Sequence, residues 1–461
     1  MQGSDRRKTP RNLMVLAVVT VLAGCETGPG YQSPAFPFGA SYAGQRGSPV
    51  LLTNANWWTR FRDPTLDALV ARALSGNLTL ESARERVIQA NAELRSVAGP
   101  VSDSPGASIR NTGSNGSDLQ EVAEANFAFS WLLDPFGARR AQLRASGAQV
   151  EVADAELNAA QLLVLGNLAN AYIDLRFNQR LLSIRSEDLA SRRKTLALTE
   201  SFFAADSATK LDIVRSQAVV ADIEAQLPAL KAGIQASKGE IAVLTGVAPG
   251  RLAVNLDKGQ GQPRPKLSPD VGIPADLLRN RPDIRIAERQ YYAAIANIGV
   301  ARAELYPKLS LGGAITLTAI GRSTSREYYF GPSVQFPALL SKAPRAAVEA
   351  RESLARQSHT AWKAAVLAAI QDVESAMVNY AAANAAVRAS EKAARLYGEV
   401  VNLTRDLIDR DGATLSDLID AETSIASANA TLAENLRQQA LGFVNLNISL
   451  GSGNAVQPPA K

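Results

Sequence analysis

"DGATLSDLIDA", residues 411–421, and "DSATKLDIVRS", residues 206–216, are two versions of one acidic turn written 205 residues apart. Each reads as the link between two helices, and sliding the chain against itself by that distance matches far more than the turn. "WLLDPFGARRA" (131–141) falls on "FPALLSKAPRA" (336–346), Arg140 on Arg345, Ala171 on Ala376 and Gly246 on Gly451. Upstream, "NLTLESARERVIQANAEL" (77–94) matches "RPDIRIAERQYYAAIANI" (281–298) at a shift of 204, with Ala83 on Ala287 and Ala90 on Ala294. The chain is a tandem duplication. Two units are too few for a solenoid, where at least about three must stack, so the duplication points to pseudo-symmetry inside an oligomer. The Pro- and Gly-rich stretch "DKGQGQPRPKLSPDVGIP" (257–274) reads as the link between the copies.

Both copies follow one coarse plan. From Phe136 to Leu227, and from Arg345 to Val456, there is no proline, and both stretches are dense in Ala, Leu, Glu, Gln and Arg, which predicts long helices. A helix over 138–203 would extend on the order of 100 Å. After the first turn Leu211, Val214, Ala218, Ala221 and Ala225 recur at three- and four-residue steps, a seam for packing on neighbouring helices; a solvated coiled coil would share this pattern. Ahead of each long helix the period changes. In "LSLGGAITLT" (309–318), Leu309, Leu311, Ile315 and Leu317 face one way and Ser310, Gly312, Ala314, Thr316 and Thr318 the other. "NFAFSW" (126–131) sets Phe127, Phe129 and Trp131 against Ala128 and Ser130, and "YFGPSVQF" (329–336) sets Phe330, Val334 and Phe336 against Gly331, Ser333 and Gln335. A fourth strand near "ASIRNTG" (107–113) shows only Ile109 as clearly apolar and is inferred from the repeat. Aromatic-lined strands of about ten residues fit a transmembrane barrel, and the inward face of a soluble antiparallel sheet would look the same.

At 461 residues, 46% hydrophobic, the chain can bury a large core. Its start points out of the cytoplasm. "SDRRKTPRN" carries Arg6, Arg7, Lys8 and Arg11, and "LMVLAVVTVLAG" follows as a short apolar run, the layout of a secretory leader. Removing the four basic and one acidic residues of 1–24 from the chain's 49 and 44 leaves 45 against 43, a net of +2 that indicates no polyanion partner. The leader ends in "LAGC", where Cys25 is the only cysteine. This resembles the bacterial lipobox, in which the thiol is acylated and becomes the first mature residue. Glu26, rather than Asp, follows it, which favours the outer membrane. One acyl chain contributes about 0.8 kcal/mol per buried methylene and anchors marginally, so further chains or a second anchor are expected. Four strands cannot close a barrel by themselves, and an open edge is not tolerated in lipid. If these strands enter a membrane, two copies are the minimum and three give a wider lumen.

Together with the lipobox, "WWTRFRDPTLDALVARALSGN" (57–77), "FSWLLDPFGARRA" (129–141), "LPALKAGI" (227–234), "LLRNRPDIRIAERQ" (277–290), "ANIGVARAELYPKLSL" (296–311) and "LSDLIDAET" (415–423) resemble the TolC/OprM family of outer-membrane efflux channels, in its lipoprotein, NodT-like branch. The likeness spans nearly all of 50–451. It implies a mainly α chain with a small transmembrane β part: a homotrimer whose four strands per subunit make one 12-stranded barrel, above a tunnel of helices through the periplasm. The plan is then a signal peptide over 1–24, a lipid-anchored segment over 25–62, a first repeat over 63–256 (hairpin near 105–134, helical hairpin near 138–246), the linker over 257–274, a second repeat over 275–451 (hairpin near 308–338, helical hairpin near 344–450) and a tail over 452–461. A periplasmic adaptor and an inner-membrane pump of the RND type are the implied partners, and no cofactor is needed beyond lipid on Cys25.

The two acidic turns would be the hairpin tips closing the periplasmic end. Asp417 and Asp420 lie one helical turn apart and share a face; they match the acidic pair of the family's "DVLDA"-like gate motif, and in a trimer would form two carboxylate rings that repel anions and bind cations. Arg410, Lys210, Asp212 and Arg215 are their candidate partners, with Arg185 a further basic group. A lone exposed Asp more often caps its helix. This chain departs from the family in a shorter step from Gly412 to Asp417, in a first tip without the usual glycine, and in "PALLSKAPR" where a Phe-Asp-x-Gly turn is usual. No zinc spacing, phosphate loop or nucleophile elbow occurs, and His359, the single histidine, reads as a solvated residue of an Ala-rich helix, so an enzyme is not expected. The expected function is a passive, gated exit duct for small molecules such as drugs. An exit duct for type I protein secretion and a non-conducting coiled-coil scaffold are the alternatives.

Overall fold

The computed structural model describes residues 28–35, 56–97, 99–113, 119–257, 261–265, 281–337, 340–408, 410 and 412–452. The leader over 1–24, Cys25, much of the linker and nearly all of the C-terminal tail lie outside the described residues. A short 3-10 turn, Trp57–Phe61, precedes α1 (Pro64–Gly76) and α2 (Leu78–Val97); β1 (Val101–Thr112) and β2 (Gln120–Leu133) form a hairpin; α3 (Ala138–Ala204) and α4 (Lys210–Leu244) follow. The second repeat has α5 (Pro282–Ala303), the hairpin β3 (Lys308–Ile320) and β4 (Ser323–Gln335), then α6 (Ala343–Ile408) and α7 (Leu415–Ser449). The described residues form two compact units, one of those within 28–35, 85–154 and 285–364 and the other of those within 56–84, 155–284 and 365–452.

In the first unit the strands form one antiparallel sheet in the order β1-β2-β3-β4, so the two hairpins meet along β2 and β3. Directly paired residues share a face. Phe127, Ile315 and Tyr328 make one row; Phe129, Gly313 and Phe330 the next; Trp131, Leu311 and Pro332 a third. The opposite face is built from rows such as Ser130, Gly312 and Gly331, or Asn126, Thr316 and Glu327. Gly313 lies between the aromatic rings of its row, which stack at 6.0 Å, and a Cβ there would come within 2.9 Å of the Phe129 ring and of the Tyr329 carbonyl oxygen. β1 starts at Val101, ahead of the stretch that marks it in the sequence.

The same unit docks the chain's N-terminal segment on α5. The Tyr31 hydroxyl donates to Glu288 Oε1 at 2.8 Å, the Ser33 hydroxyl donates to the same oxygen at 3.1 Å, and the Tyr31 ring packs 4.6 Å from that of Tyr292. Burial, with the Glu288 carboxylate beside it, pushes the Tyr31 phenol up. His359 is not the solvated surface residue its Ala-rich surroundings suggested. It is half-buried, with Tyr291 at 5.1 Å on one side and buried Trp362 at 5.9 Å on the other.

The second unit holds the main apolar core. Trp57, Phe61, Leu66 and Leu69 pack with Leu165, Leu168 and Ile173 of α3, Ile241 of α4, Tyr380 of α6 and Phe443 of α7. Phe443 is its aromatic hub, edge-on to Trp57 at 6.3 Å and to Phe61 at 5.3 Å. Asp63 caps α1 by accepting from the Thr65 N–H at 2.9 Å, and the Tyr172 hydroxyl donates to its other oxygen, tying α1 to α3. The two helical hairpins close alike. Val247 N–H donates to Ala242 O after Gly246, and Ser452 N–H to Asn447 O after Gly451, both at 2.9 Å, in the Schellman pattern. Both glycines have positive φ, and at Gly246 a Cβ would lie 1.9 Å from Gly76 O, so no other residue fits. The described end of the linker is bound rather than loose: Gln262 Nε2 donates to Ala433 O at 2.7 Å and Arg264 pairs with Glu391 at 2.9 Å.

Candidate functional site

The two acidic turns fold alike. In the first, Ala204 ends α3, Asp206 takes the left-handed position at φ 57, and Ser207 N–H donates to Phe202 O at 2.8 Å. Asp is one of the few residues that enters this region without large strain. In the second, Gly412 N–H donates to Leu407 O at 2.8 Å, the matching bond 205 residues on. Each following helix then opens on a capping box. Thr209 and Asp212 exchange bonds at the head of α4, and Thr414 and Asp417 do so at the head of α7, where Asp417 Oδ2 accepts from the Thr414 N–H at 2.8 Å and from its hydroxyl at 2.7 Å.

These bonds assign the tip carboxylates different work. The Thr414 hydroxyl and N–H hold Asp417 below the usual carboxylate range, and Thr209 does the same for Asp212, helped by nearby Arg215. Asp420, one turn further along α7, is exposed and makes no ion pair within the chain among the described residues; its carbonyl oxygen accepts from the Ser424 hydroxyl at 2.9 Å. Arg410, Lys210 and Arg215 are exposed too, and among the described residues none forms an ion pair with Asp417 or Asp420 in one chain. Arg185 turns instead to Asp188, at 3.8 Å.

Directly behind the second tip lies a buried ionic network that the motif does not announce. Glu422, with a side chain 3% exposed, accepts from the Ser191 hydroxyl at 2.7 Å and Arg405 Nη2 at 2.9 Å on Oε1. Its Oε2 accepts from the Thr195 hydroxyl at 3.2 Å and faces Arg192 Nη1 at 3.4 Å. Arg192, 4% exposed, also donates to Asp188 Oδ1 at 3.2 Å, Ile419 O at 2.9 Å and Thr423 Oγ1 at 2.9 Å. Burial pushes the Asp188 carboxyl up, and Arg192 and Arg185 oppose it. The network joins α3, α6 and α7 two residues beyond Asp420. At the 205-residue shift its members fall on Ala393, Leu396, Tyr397, Val400, Glu200, Gln217 and Ala218, so the first repeat has no counterpart. The tips share their caps and differ in what holds them. In the sequence only the four-residue spacing of Asp188 and Arg192 hinted at a pair; nothing marked their meeting with Glu422.

Comparison with known proteins follows the same duplication. The family model described as outer membrane efflux protein matches residues 69–247 and again 273–452. Nodulation protein T of Rhizobium leguminosarum bv. trifolii is 34% identical over 448 residues, covering 94% of this chain and 95% of that protein. The pyoverdine export outer membrane protein OpmQ of Pseudomonas aeruginosa is 31% identical over 338 residues, covering 69% of this chain and 70% of its own length. Among solved structures, the outer-membrane channel OprN superposes with a TM-score of 0.84 at 30% identity, covering 93% of this chain and 99% of that one.

Two outcomes are expected. Replacing Glu422 by Ala leaves the buried Arg192 with Asp188 as its one carboxylate partner among the described residues and removes the acceptor of Ser191, Thr195 and Arg405, a cost of about 1–3 kcal/mol read as a lower unfolding midpoint, whereas Arg405→Ala, half-exposed, changes it little; equal midpoints for the wild type and the Glu422 variant would contradict the network's role. Because the Asp212 and Asp417 values lie below those of the unfolded chain, ordinarily about 3.9, their stabilisation is complete above that range and lost as pH falls through the lowered values. Amide exchange at 415–418, corrected for intrinsic rates, is therefore expected to accelerate on acidification in the wild type and to be already fast at neutral pH in Thr414→Ala.

Proposed function

The chain belongs to the outer membrane efflux protein family, and from that premise we propose that three copies assemble into one lipid-anchored, gated exit duct for small molecules, fed by a periplasmic adaptor and an inner-membrane pump of the RND type. The observation that carries the reading is the sheet: apolar and aromatic along the middle of one face, with Asp103, Asn111, Glu121 and Arg326 towards its ends, and Ser, Thr, Gly and charged residues on the other, with a free edge at both ends. An unpaired edge in hydrocarbon costs several kcal/mol per backbone group, so the apolar face can meet lipid only when other copies close the sheet. Two copies give an eight-stranded barrel whose interior side chains fill it. Three give the first ring wide enough to conduct, with the Ser, Thr and Gly face turned to water.

In this reading Cys25 carries the lipid and Asp417 and Asp420 form the carboxylate rings of the periplasmic gate. The geometry supports a division of labour between them. Asp417 holds the head of α7 in its capping box, while Asp420 presents an uncommitted carboxylate to the neighbouring copy, where Arg410, Lys210 or Arg215 can meet it. The buried Glu422 network keeps the turn carrying Asp420 fixed to α3. An adaptor that opens the tip works against that anchor on the α7 side and against no equivalent on the α4 side.

Single-channel conductance in planar bilayers tests the assignment. Asp420→Ala, which spares the cap, is expected to raise a small wild-type conductance, and Thr414→Ala to raise it less. A wild-type particle that conducts, joined to an Asp420 variant that conducts no more, would remove Asp420 from the gate.

A further inference from the structure

The two free edges of the sheet carry enough information to say how one copy meets the next. Leu132 N–H donates to Pro100 O at 2.9 Å. Hydrogen-bonded pairs recur at every second residue of an antiparallel ladder, so the even-numbered residues of β1 aim their backbone groups at β2. The odd-numbered ones, Val101 to Asn111, aim theirs out of the sheet. Carried across the registers of β2 with β3 and β3 with β4, the alternation leaves the even-numbered residues of β4, Thr324 to Val334, pointing outward at the far edge. Pro105 and Pro332 both occupy outward positions. Each lacks an N–H at a point where its own chain needs none, which is where an edge strand tolerates proline.

We propose that β4 of one copy pairs with β1 of the next in the register that sets Pro332 opposite Pro105. This rests on the reading of the sheet as one segment of a barrel closed by copies of this chain; three constraints narrow the register to two, and the side chains at the seam choose between them. Outward-pointing residues must oppose outward-pointing ones, and both sets lie on the apolar face, so the stagger between copies is an even number of residues. In-chain pairing runs from Pro105 through Phe127 and Ile315 to Tyr328, and Pro332 lies about four residues further along β4. A stagger of about four residues at about 3.4 Å each, across four strand spacings of about 4.8 Å, tilts the strands by roughly 35°. Outer-membrane strands tilt by about 35–45°. A stagger of about two residues gives roughly 19°, well short of that range, whereas about six gives roughly 45–47°, at its upper end, so the tilt leaves four or six. The tilt depends only on the stagger per copy, so it holds whatever the number of copies. Finally, the stagger of equal size in the opposite direction sets Pro105 against Thr324 and leaves β4 from Tyr329 onward without a partner, an open edge in lipid.

A stagger of six would set Arg110 opposite Tyr329 and Pro105 opposite Val334, and the pairings at four are the better matched. Arg110 falls opposite Glu327 of the neighbouring copy, on the polar face, while it already pairs with Glu124 of its own chain at 3.2 Å. One guanidinium then lies between two carboxylates, a lumen-facing ionic rung at each seam. Gly106 meets Gly331, Ser104 meets Ser333, and Ala107 makes room for Phe330. The two prolines gather both missing donors at one rung instead of breaking the seam at two.

Cysteine pairs in the full chain, oxidised in isolated outer membranes, test the register. Ser104→Cys is combined in turn with Gly331→Cys, Ser333→Cys and Gln335→Cys, and each single variant reports any background from Cys25. Position 331 has open space around it. Directly opposite Cβ atoms lie about 4.5–5.5 Å apart and diagonal ones about 7–8 Å or somewhat less, so the Ser333 pairing is expected to give the strongest cross-link between chains, several-fold above the other two. A stronger cross-link at Gly331 or Gln335 overturns the register and leaves the channel intact. A multimeric particle that cross-links at none of the three overturns it as well, whereas a monomeric particle overturns the channel reading with it.

Discussion

A β-sheet edge cannot face hydrocarbon, because each unpaired N–H and C=O there forfeits its bonds to water without gaining others. The sheet of this chain has two such edges and one apolar face. The proposed assembly follows from resolving that conflict. In the proposed duct the strands are stable against lipid only in a closed ring, and one chain supplies four of them, so the proposed unit of function is an assembly. The duplication that writes each hairpin and each helical pair twice suits the proposed ring, in which two near-equivalent halves per chain multiply the symmetry.

At the two acidic turns the forces are local and polar. Two Thr–Asp boxes seal the helices that follow the tips, and a Schellman turn closes each of the same helices at its other end. These devices are repeated because a hairpin needs them wherever it occurs. The ion network around Glu422 is not repeated. Burying Arg192 and Glu422 together is tolerable because each oxygen of the carboxylate and each nitrogen of the guanidinium has a partner. Such a fully bonded cluster fixes one geometry sharply, so the two tips of one chain are alike in shape and unlike in the ionic contacts behind them.

Much of this was legible in the residues. The helices were, because proline-free runs of Ala, Leu, Glu and Arg have few other options; β2 and β3 were, because their large side chains fall at every second position. β1 was nearly silent: "VSDSPG" reads as a turn, and it is a strand through pairing with β2 rather than by its own preference. The tip acids were found by motif, but their capping bonds depend on Thr209 and Thr414, which the motif does not weigh. Arg192 and Glu422 stand 230 residues apart in sequence, and only the fold brings them together. His359 was misread for the same reason, since the Tyr291 ring that covers it comes from another helix.

The central claim is that the sheet is one segment of a ring closed by copies of this chain. Native mass spectrometry of the particle extracted from the outer membrane in detergent measures this most directly. Three chains per particle, each carrying the added mass of a lipid at its N-terminus, is the expected result. A particle of one chain that keeps its strands would contradict the account, because its edges would then lie open in the membrane.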